Sequence, residues 1–172
     1  MKRFEHDVDL TRTPIFAGIP REKISKVEAL VKVKDFPADQ QIMGEGESGS
    51  SLFILLSGEV EVSKSLVFRS GNSASVDPLE KSLIRLDSKS FPFFGEMSLF
   101  EKGSARNATV RTVTPCKFAI IELADLARLS ETDYEIGYRT FLNIAWVLSD
   151  RLNKANRDLM KVTTALGLAL ER

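Results

Sequence analysis

The sequence is poor in the residues that build most catalytic and metal centres. It holds one cysteine, Cys116, and one histidine, His6. A lone cysteine excludes an internal disulfide and a cysteine-rich zinc site. A lone histidine close to the N-terminus argues against a His-based metal site or a Ser-His-Asp type of triad, so no catalytic residue and no metal ligand are assigned. No apolar run reaches the roughly eighteen residues a membrane-spanning helix needs. An excess of one charge is also missing, with 24 Lys plus Arg against 24 Asp plus Glu. That balance argues against a general polyanion binder, because counterion release requires concentrated basic charge. The first residues, Met1-Lys2-Arg3-Phe4-Glu5-His6-Asp7, lead into no apolar signal core. Together with the lone thiol this points to a reducing, cytoplasmic compartment.

What is present is the composition of a folded domain. Hydrophobic residues make up 43% and charged residues 28% of 172, which excludes a disordered or collagen-like chain. The length suits one domain, or one domain with an extension. Residues 11–32 read as helical, with start signals at Thr13-Pro14 and Pro20. Ile24, Val27, Leu30 and Val31 follow at three- and four-residue spacing, and Phe36-Pro37 closes the segment.

From about residue 40 to 122 the texture changes. Short runs rich in β-branched and aromatic residues alternate with Gly and Ser. They are Gln41-Ile42-Met43, the run from Ser51 to Leu56, Val60-Glu61-Val62, the run from Ser82 to Leu86, the run from Ala108 to Arg111, and the run from Cys116 to Ile121. This punctuation predicts an antiparallel sandwich or barrel rather than βαβ units. Residues 69–75 read as a polar loop. Cys116 is expected to be a buried, inert thiol. Gly44-Glu45-Gly46-Glu47-Ser48-Gly49 matches a dinucleotide fingerprint by letter, but a strand-like run follows it and two carboxylates would repel a pyrophosphate. A tight turn between strands explains it.

From Ala124 onward the pattern is helical. Tyr138, Phe141, Ala145, Leu148, Leu152, Ala155, Leu159, Val162, Leu166 and Ala169 form a heptad seam. Arg, Lys, Asn and Asp fill the positions between the seam residues over 150–161. The helix either packs along its own barrel or pairs with its twin. The stretch past Leu152 favours pairing, since a small domain has little surface left to cover so long a stripe. Trp146 lies off the seam and is expected to pack on the barrel, and Phe93, Phe94 and Phe100 are expected in the core.

The stretch from Phe93 to Val110 carries the chemistry. Phe93-Phe94-Gly95 ends a strand, and Glu96-Met97-Ser98-Leu99-Phe100 makes one helical turn. Residues 101–104 then return the chain to a strand at Ala108. Free N–H groups at the start of that turn, beside a glycine that permits close approach, suit one phosphate if Arg106 folds back over them. Glu96 accepts hydrogen bonds and suits a sugar hydroxyl. A structural Arg106–Glu96 salt bridge satisfies the same local pattern.

This stretch closely resembles the phosphate-binding cassette of cyclic-nucleotide-binding domains: Phe-Gly-Glu, an apolar residue, a small residue, Leu, a turn, then Arg with a small or polar residue, Ala and a β-branched residue. The step from Glu96 to Arg106 is similar to that of bacterial members. Gly46-Glu47, the run from Leu52 to Val62 with Gly58, and Pro14-Ile15-Phe16-Ala17-Gly18-Ile19 also resemble the family, so the likeness extends over residues 10–165. It implies an α+β fold: an antiparallel, jelly-roll-like β-roll flanked by N-terminal helices and a long C-terminal dimerisation helix. The roll and its helical lead-in would occupy 1–130 and the C-terminal helices 131–172. The implied ligand is a cyclic nucleotide, cAMP first and cGMP as the alternative, with no further cofactor.

By residue, the resemblance places Gly95 and the amides of Glu96, Met97 and Ser98 at the phosphate and ribose. It places Glu96 on the ribose 2′-hydroxyl, Arg106 on the cyclic phosphate, and Asn107 as an added donor. Arg106 is expected to be partly exposed while the site is empty. Two departures stand out. Phe91-Pro92 occupies ground where many members have Gly and an acidic residue, and the helix positions that meet the base in bacterial members correspond to Ala155 and Asn156. Asn156, with donor and acceptor groups, is the expected base contact, from the same chain or from a partner chain. The expected protein is a non-enzymatic, dimeric sensor acting on a protein partner. A scaffold that has lost its ligand is the alternative, and a nucleotide-hydrolysing enzyme is set aside for want of a metal set. The sequence runs to Arg172 without a helix-turn-helix, so DNA binding by this chain alone is not expected.

Overall fold

The structure is a computed structural model that describes residues 9–66, 79–100 and 105–170. The expected loop at 69–75, the turn at 101–104 and His6 lie outside the described residues. Eight strands form two antiparallel four-stranded sheets. One has the order β1 (Lys32–Phe36), β8 (Cys116–Glu122), β3 (Ser51–Ser57), β6 (Phe93–Phe94). The other has the order β2 (Gln41–Met43), β7 (Thr109–Thr112), β4 (Glu59–Leu66), β5 (Leu79–Asp87). Helices α1 (Arg21–Glu28), α2 (Leu123–Thr132) and α3 (Tyr134–Leu170) complete the fold. It is the expected α+β roll with a long C-terminal helix.

Strand alternation explains how the two layers hold together. Along β3, Phe53 and Leu55 point into the roll with Met43, Val60, Phe94, Val110 and Phe118. Leu52 and Ile54 point the other way, onto Ile15, Phe16, Ile24, Val27, Leu126, Ile136 and Ile144 of the helical layer. β3 is therefore apolar on both faces, which its near-continuous Leu-Phe-Ile-Leu run encodes. Inside the roll, Phe118 meets Phe36, Phe53 and Phe94 edge to face, with centroids 5.5, 6.2 and 5.8 Å apart. Cys116 is buried there, and burial pushes its thiol pKa up, as expected of an inert thiol.

The N-terminal segment departs from the expected helix. Two 3-10 turns, Leu10–Arg12 and Pro14–Phe16, precede α1, and α1 ends at Glu28. The expected helix runs on to residue 32, but residues 29 and 30 turn and β1 begins at Lys32, pairing with β8 in the register Val33↔Ala119 and Phe36↔Cys116. Its sequence, Lys-Val-Lys-Asp-Phe, alternates only over Lys32, Val33 and Lys34, and Asp35 breaks the period. A short, charged edge strand gives a weak local signal that tertiary pairing completes.

The break between α2 and α3 falls at Asp133, whose backbone is extended. Its carboxylate takes Lys23 at 2.9 Å and Lys26 at 2.7 Å from α1. Hydrogen bonds from both lysines hold the Asp133 pKa well below the usual carboxylate range, and Lys23 is pushed up to about 12. The clamp ties the lead-in helix to the start of α3. Asn143 repeats that tie one stage further on, donating to the carbonyls of Ile15 and Ala17 at 3.1 and 2.9 Å. Among the described residues no helix is long and apolar enough to cross a membrane.

Two aromatic residues are not where the sequence suggests. Trp146 is 70% exposed and Phe100 57% exposed, so neither belongs to the core. Trp146 faces away from the α3 side that carries Ile136, Thr140 and Ile144. Phe100 caps the 3-10 turn, and its ring meets that of Phe141 at a centroid distance of 6.3 Å.

Candidate functional site

A cavity of about 540 Å³ opens between the second sheet, the segment after β6, and α3. Its sheet wall is apolar: Met43 from β2, Val62 from β4, Ile84 and Leu86 from β5, and Val110 from β7. Gly95, Glu96, Met97 and Ser98, with Arg106, Asn107 and Ala108, form one end. Val147, Asp150, Arg151 and Lys154 of α3 close it from outside. A flat apolar slot with charge at one end suits a planar heterocycle joined to an anionic group.

The cassette folds as its residues require. The strand before it is reached through a 3-10 turn, Ser88–Ser90, where Asp87 caps the Lys89 amide at 2.9 Å. Phe91 then adopts a left-handed conformation, φ 47°, strained for a residue with a side chain. This is how Phe91-Pro92 replaces the glycine-containing approach. The Pro92 carbonyl accepts the Leu55 amide at 2.9 Å. Gly95, at φ 90°, turns the chain into the short helical turn Glu96–Leu99. A Cβ there would lie 2.6 Å from both Arg106 Nη1 and the Ser51 carbonyl oxygen, so close approach as well as conformation demands glycine.

Arg106 is only 6% exposed, not partly open as the sequence suggested. Its guanidinium donates to the Ser51 carbonyl at 2.8 Å, the Gly95 carbonyl at 3.2 Å and Ser98 Oγ at 3.4 Å. Its backbone exchanges hydrogen bonds of 2.8 Å with Gly46 and Glu47. A Cβ on Gly49 would collide with the guanidinium. The glycine-rich turn at 44–49, closed by Glu47 on the Gly44 amide at 2.9 Å, therefore serves as one side of the Arg106 cradle. Burial lowers the Arg106 pKa, opposed by Glu122, Glu96 and Glu47. The cradle uses three of the five guanidinium N–H groups, leaving donors for an anionic oxygen.

Glu96 is 2% exposed, and its ion-pair partner is Arg151 of α3, at 2.7 Å, rather than Arg106. Arg151 also donates to the Phe93 carbonyl at 2.6 Å and lies over the Phe93 ring, 5.3 Å from its centroid. Burial raises the Glu96 pKa, and Arg151 works against that rise. The carboxylate expected from the sequence to meet a sugar hydroxyl is thus joined to the long helix.

Of the expected residues, the structure brings Gly95, Glu96, Met97, Ser98, Arg106 and Asn107 to one cavity. It does not bring Asn156 there. That side chain is exposed on the outer stretch of α3, beside Asn153, Arg157 and Lys161. Sequence reasoning missed Asp150, Arg151 and Lys154, which were read as the wet side of a heptad helix. A usable signal exists: Ile144, Val147, Arg151 and Lys154 recur at three- and four-residue spacing. They form a second stripe beside the seam, turned toward the roll.

Comparison with known proteins gives a consistent picture. The sequence model of the cyclic nucleotide-binding domain matches residues 33–133. The chain is 26% identical over 160 residues to a CRP-like cAMP-activated global transcriptional regulator of Mycobacterium tuberculosis, covering 89% of this chain and 61% of that protein. It is 32% identical over 124 residues to the cAMP-activated global transcriptional regulator CRP of Haemophilus influenzae, covering 72% of this chain and 49% of that protein. It thus spans about half to three-fifths of the length of these relatives. The catabolite activator protein of Thermus thermophilus superposes with a TM-score of 0.69 at 22% identity, over 88% of this chain and 63% of the other. A cyclic nucleotide-binding domain from Methylobacillus flagellatus gives 0.70 at 23% identity, over 85% and 76%. At those identities the two superpositions speak to the fold.

Proposed function

This chain belongs to the cyclic nucleotide-binding domain family, and from that premise we propose that it is a non-enzymatic, cytoplasmic sensor of a cyclic purine nucleotide, cAMP first and cGMP second. One observation carries the reading. A buried carboxylate, a cradled guanidinium with donors to spare and an apolar slot converge on a single cavity. In this reading the cyclic phosphate meets Arg106, the amides of Glu96, Met97 and Ser98, and Asn107. The ribose hydroxyl donates to Glu96, and the purine lies along Val62, Ile84 and Leu86. The lining holds three cationic and two anionic side chains, a balance that favours a monoanion. Arg106 cannot exchange a proton near neutrality, and Glu96 is held in an ion pair, so the site's chemistry is recognition rather than turnover.

Transmission follows from Arg151. A ribose hydroxyl arriving at Glu96 competes with the helix arginine for the same carboxylate. Ligand therefore favours helix positions in which both are satisfied, a shift set by its differential affinity. The signal leaves through the outer part of α3. There Leu152, Leu159, Val162 and Leu166 are 58–66% exposed, and we assign them to a homodimer seam that presents the helix to a protein partner rather than to DNA. Asn156 reaches a base only across that seam, from the second chain.

A second reading has an observation in its favour. Arg106 and Glu96 both have partners within the chain, as in a ligand-free scaffold. Calorimetric titration with cAMP and with cGMP separates the two. Saturable heat at one site per chain supports the sensor, and no heat and no thermal shift at millimolar nucleotide leaves the scaffold.

A further inference from the structure

We propose that Glu122, at the junction of β8 and α2, is a positioning residue that acts through Ser51 and Arg106 and holds down the affinity of the cavity for an anion. This rests on the cyclic-nucleotide reading above and deepens it. Glu122 does not line the cavity. It is the last residue of β8, and the antiparallel register sets it opposite Ser51, the first residue of β3. Directly opposed residues share a face of the sheet. Both carboxylate oxygens are used there, with Ser51 Oγ donating to one at 3.0 Å and Ser50 Oγ to the other at 3.2 Å. The Leu123 amide donates to the Ser50 carbonyl at 2.8 Å and closes the same corner from the backbone. The Ser51 carbonyl in turn accepts Arg106 Nη2 at 2.8 Å. A short chain of contacts thus runs from a carboxylate outside the cavity to the guanidinium inside it.

Three carboxylates act on that guanidinium. Burial lowers the Arg106 pKa, and against it work Glu122 first, then Glu96 and Glu47. Their surroundings differ. Glu96 is offset by Arg151 at 2.7 Å. Glu47 sits on an exposed turn, bound to the Gly44 amide, where water screens it. Glu122 is half-buried, and hydroxyls rather than a cation satisfy its oxygens. Among the described residues it has no ion-pair partner. Its negative charge is held beside the Arg106 cradle without being cancelled.

An anion arriving at Arg106 therefore meets a guanidinium whose charge is already partly offset, and Glu122 repels it. The two duties of Glu122 are separable. Ser50 and Ser51 need an acceptor, which an amide oxygen also supplies, whereas the repulsion needs the charge. Glu122→Gln keeps the first and removes the second. The sign of the effect then discriminates: loss of a merely structural residue weakens binding, and loss of a counter-charge tightens it.

The test is the affinity of the full chain for cAMP and for cGMP, measured by calorimetry for wild type, Glu122→Gln and Glu22→Gln. Glu22 lies exposed on α1 and outside the cavity lining, so its variant makes the same change of charge elsewhere. The expected result is a dissociation constant about three- to tenfold lower in Glu122→Gln. Both nucleotides should gain by the same factor, because they carry the same cyclic phosphate. Glu22→Gln is expected to match wild type within about twofold. Circular dichroism checks the fold. Should the amide disturb the sheet end, Glu122→Ser removes the same charge, and the same rise in affinity is expected. Affinity unchanged or lowered without the charge, a gain for one nucleotide alone, or an equal gain in Glu22→Gln overturns the inference. A wild-type chain that binds neither nucleotide removes the parent reading, and this inference with it.

Discussion

Over residues 134–151, α3 buries Ile136, Thr140 and Ile144 in the helical layer, and its Asn143 and Arg151 side chains donate to backbone carbonyls of the lead-in and of β6. Over 152–170 every residue is exposed. The heptad rhythm runs through both parts unbroken, so rhythm alone does not say what covers a helix. The helix carries two stripes: one faces the roll and ends at Lys154, and the other carries Tyr138, 64% exposed, and continues to Ala169. The roll explains the first stripe; of the second it covers Leu148 in part and leaves the other seam residues exposed. The outer part, about five turns, is exposed along its whole length, and most helical stability comes from packing an apolar face, which the proposed homodimer would supply.

The comparison is broken most severely by charging the outer stripe. Leu152→Glu combined with Leu159→Glu should convert a two-chain mass in sedimentation to a single chain. Each buried leucine is worth about 1.5–3 kcal/mol, so the dissociation constant should rise about a thousandfold or more. A wild-type chain that already sediments as a monomer removes the seam from the account.

On the inner side the largest effect belongs to Arg106. Its removal leaves the Ser51 and Gly95 carbonyls without their donor. Arg106→Ala should therefore cost about 2–3 kcal/mol in denaturant unfolding, alongside a loss of nucleotide affinity of about a hundredfold. This corrects the expectation from sequence that the variant would spare stability, which assumed a side chain reaching into an open site.

Arg151→Gln sharpens the comparison, because it cuts the tie between helix and cassette while leaving the seam alone. Burial raises the Glu96 pKa and Arg151 opposes it, so the variant's Glu96 should take up its proton at higher pH than in wild type. A carboxyl with a raised folded-state pKa favours the folded state at low pH, and that advantage is lost as pH rises through the folded value. Urea unfolding at about pH 5 and 7 should show the variant gaining relative stability on the acid side.

The clamp at the start of α3 has the opposite sign. The lysines depress the Asp133 pKa, so its contribution is fully present above the ordinary aspartate range and lost as pH falls through the depressed value. Asp133→Asn should flatten acid unfolding below about pH 4 without changing the cavity. The smallest effect expected is that of Trp146→Ser, within about 0.5 kcal/mol, since the ring is 70% exposed and away from both stripes.

How far the sequence disclosed this molecule depended on the distance between interacting residues. β3 and β8 were legible because their apolar runs and flanking turns are local, and so was the single helical turn at Glu96. β1 was not, because two lysines on an edge strand mask a pairing that only β8 completes. The burial of Arg106 was hidden because its cradle comes from Gly49, Ser51 and Gly95, which meet only in three dimensions. Arg151 was overlooked because a single heptad template assigns every position off the seam to water, whereas a second packing face exists on the same helix. Trp146 and Phe100 show the converse, since a large apolar residue off the seam need not face the roll.

Amide hydrogen exchange on the full chain, with and without saturating cAMP or cGMP, tests the central claim most directly. The account predicts slower exchange at Gly95, Glu96, Met97 and Ser98 together with changed protection across 151–170, from one ligand at one site. Unchanged exchange in both segments with nucleotide in millimolar excess would contradict it.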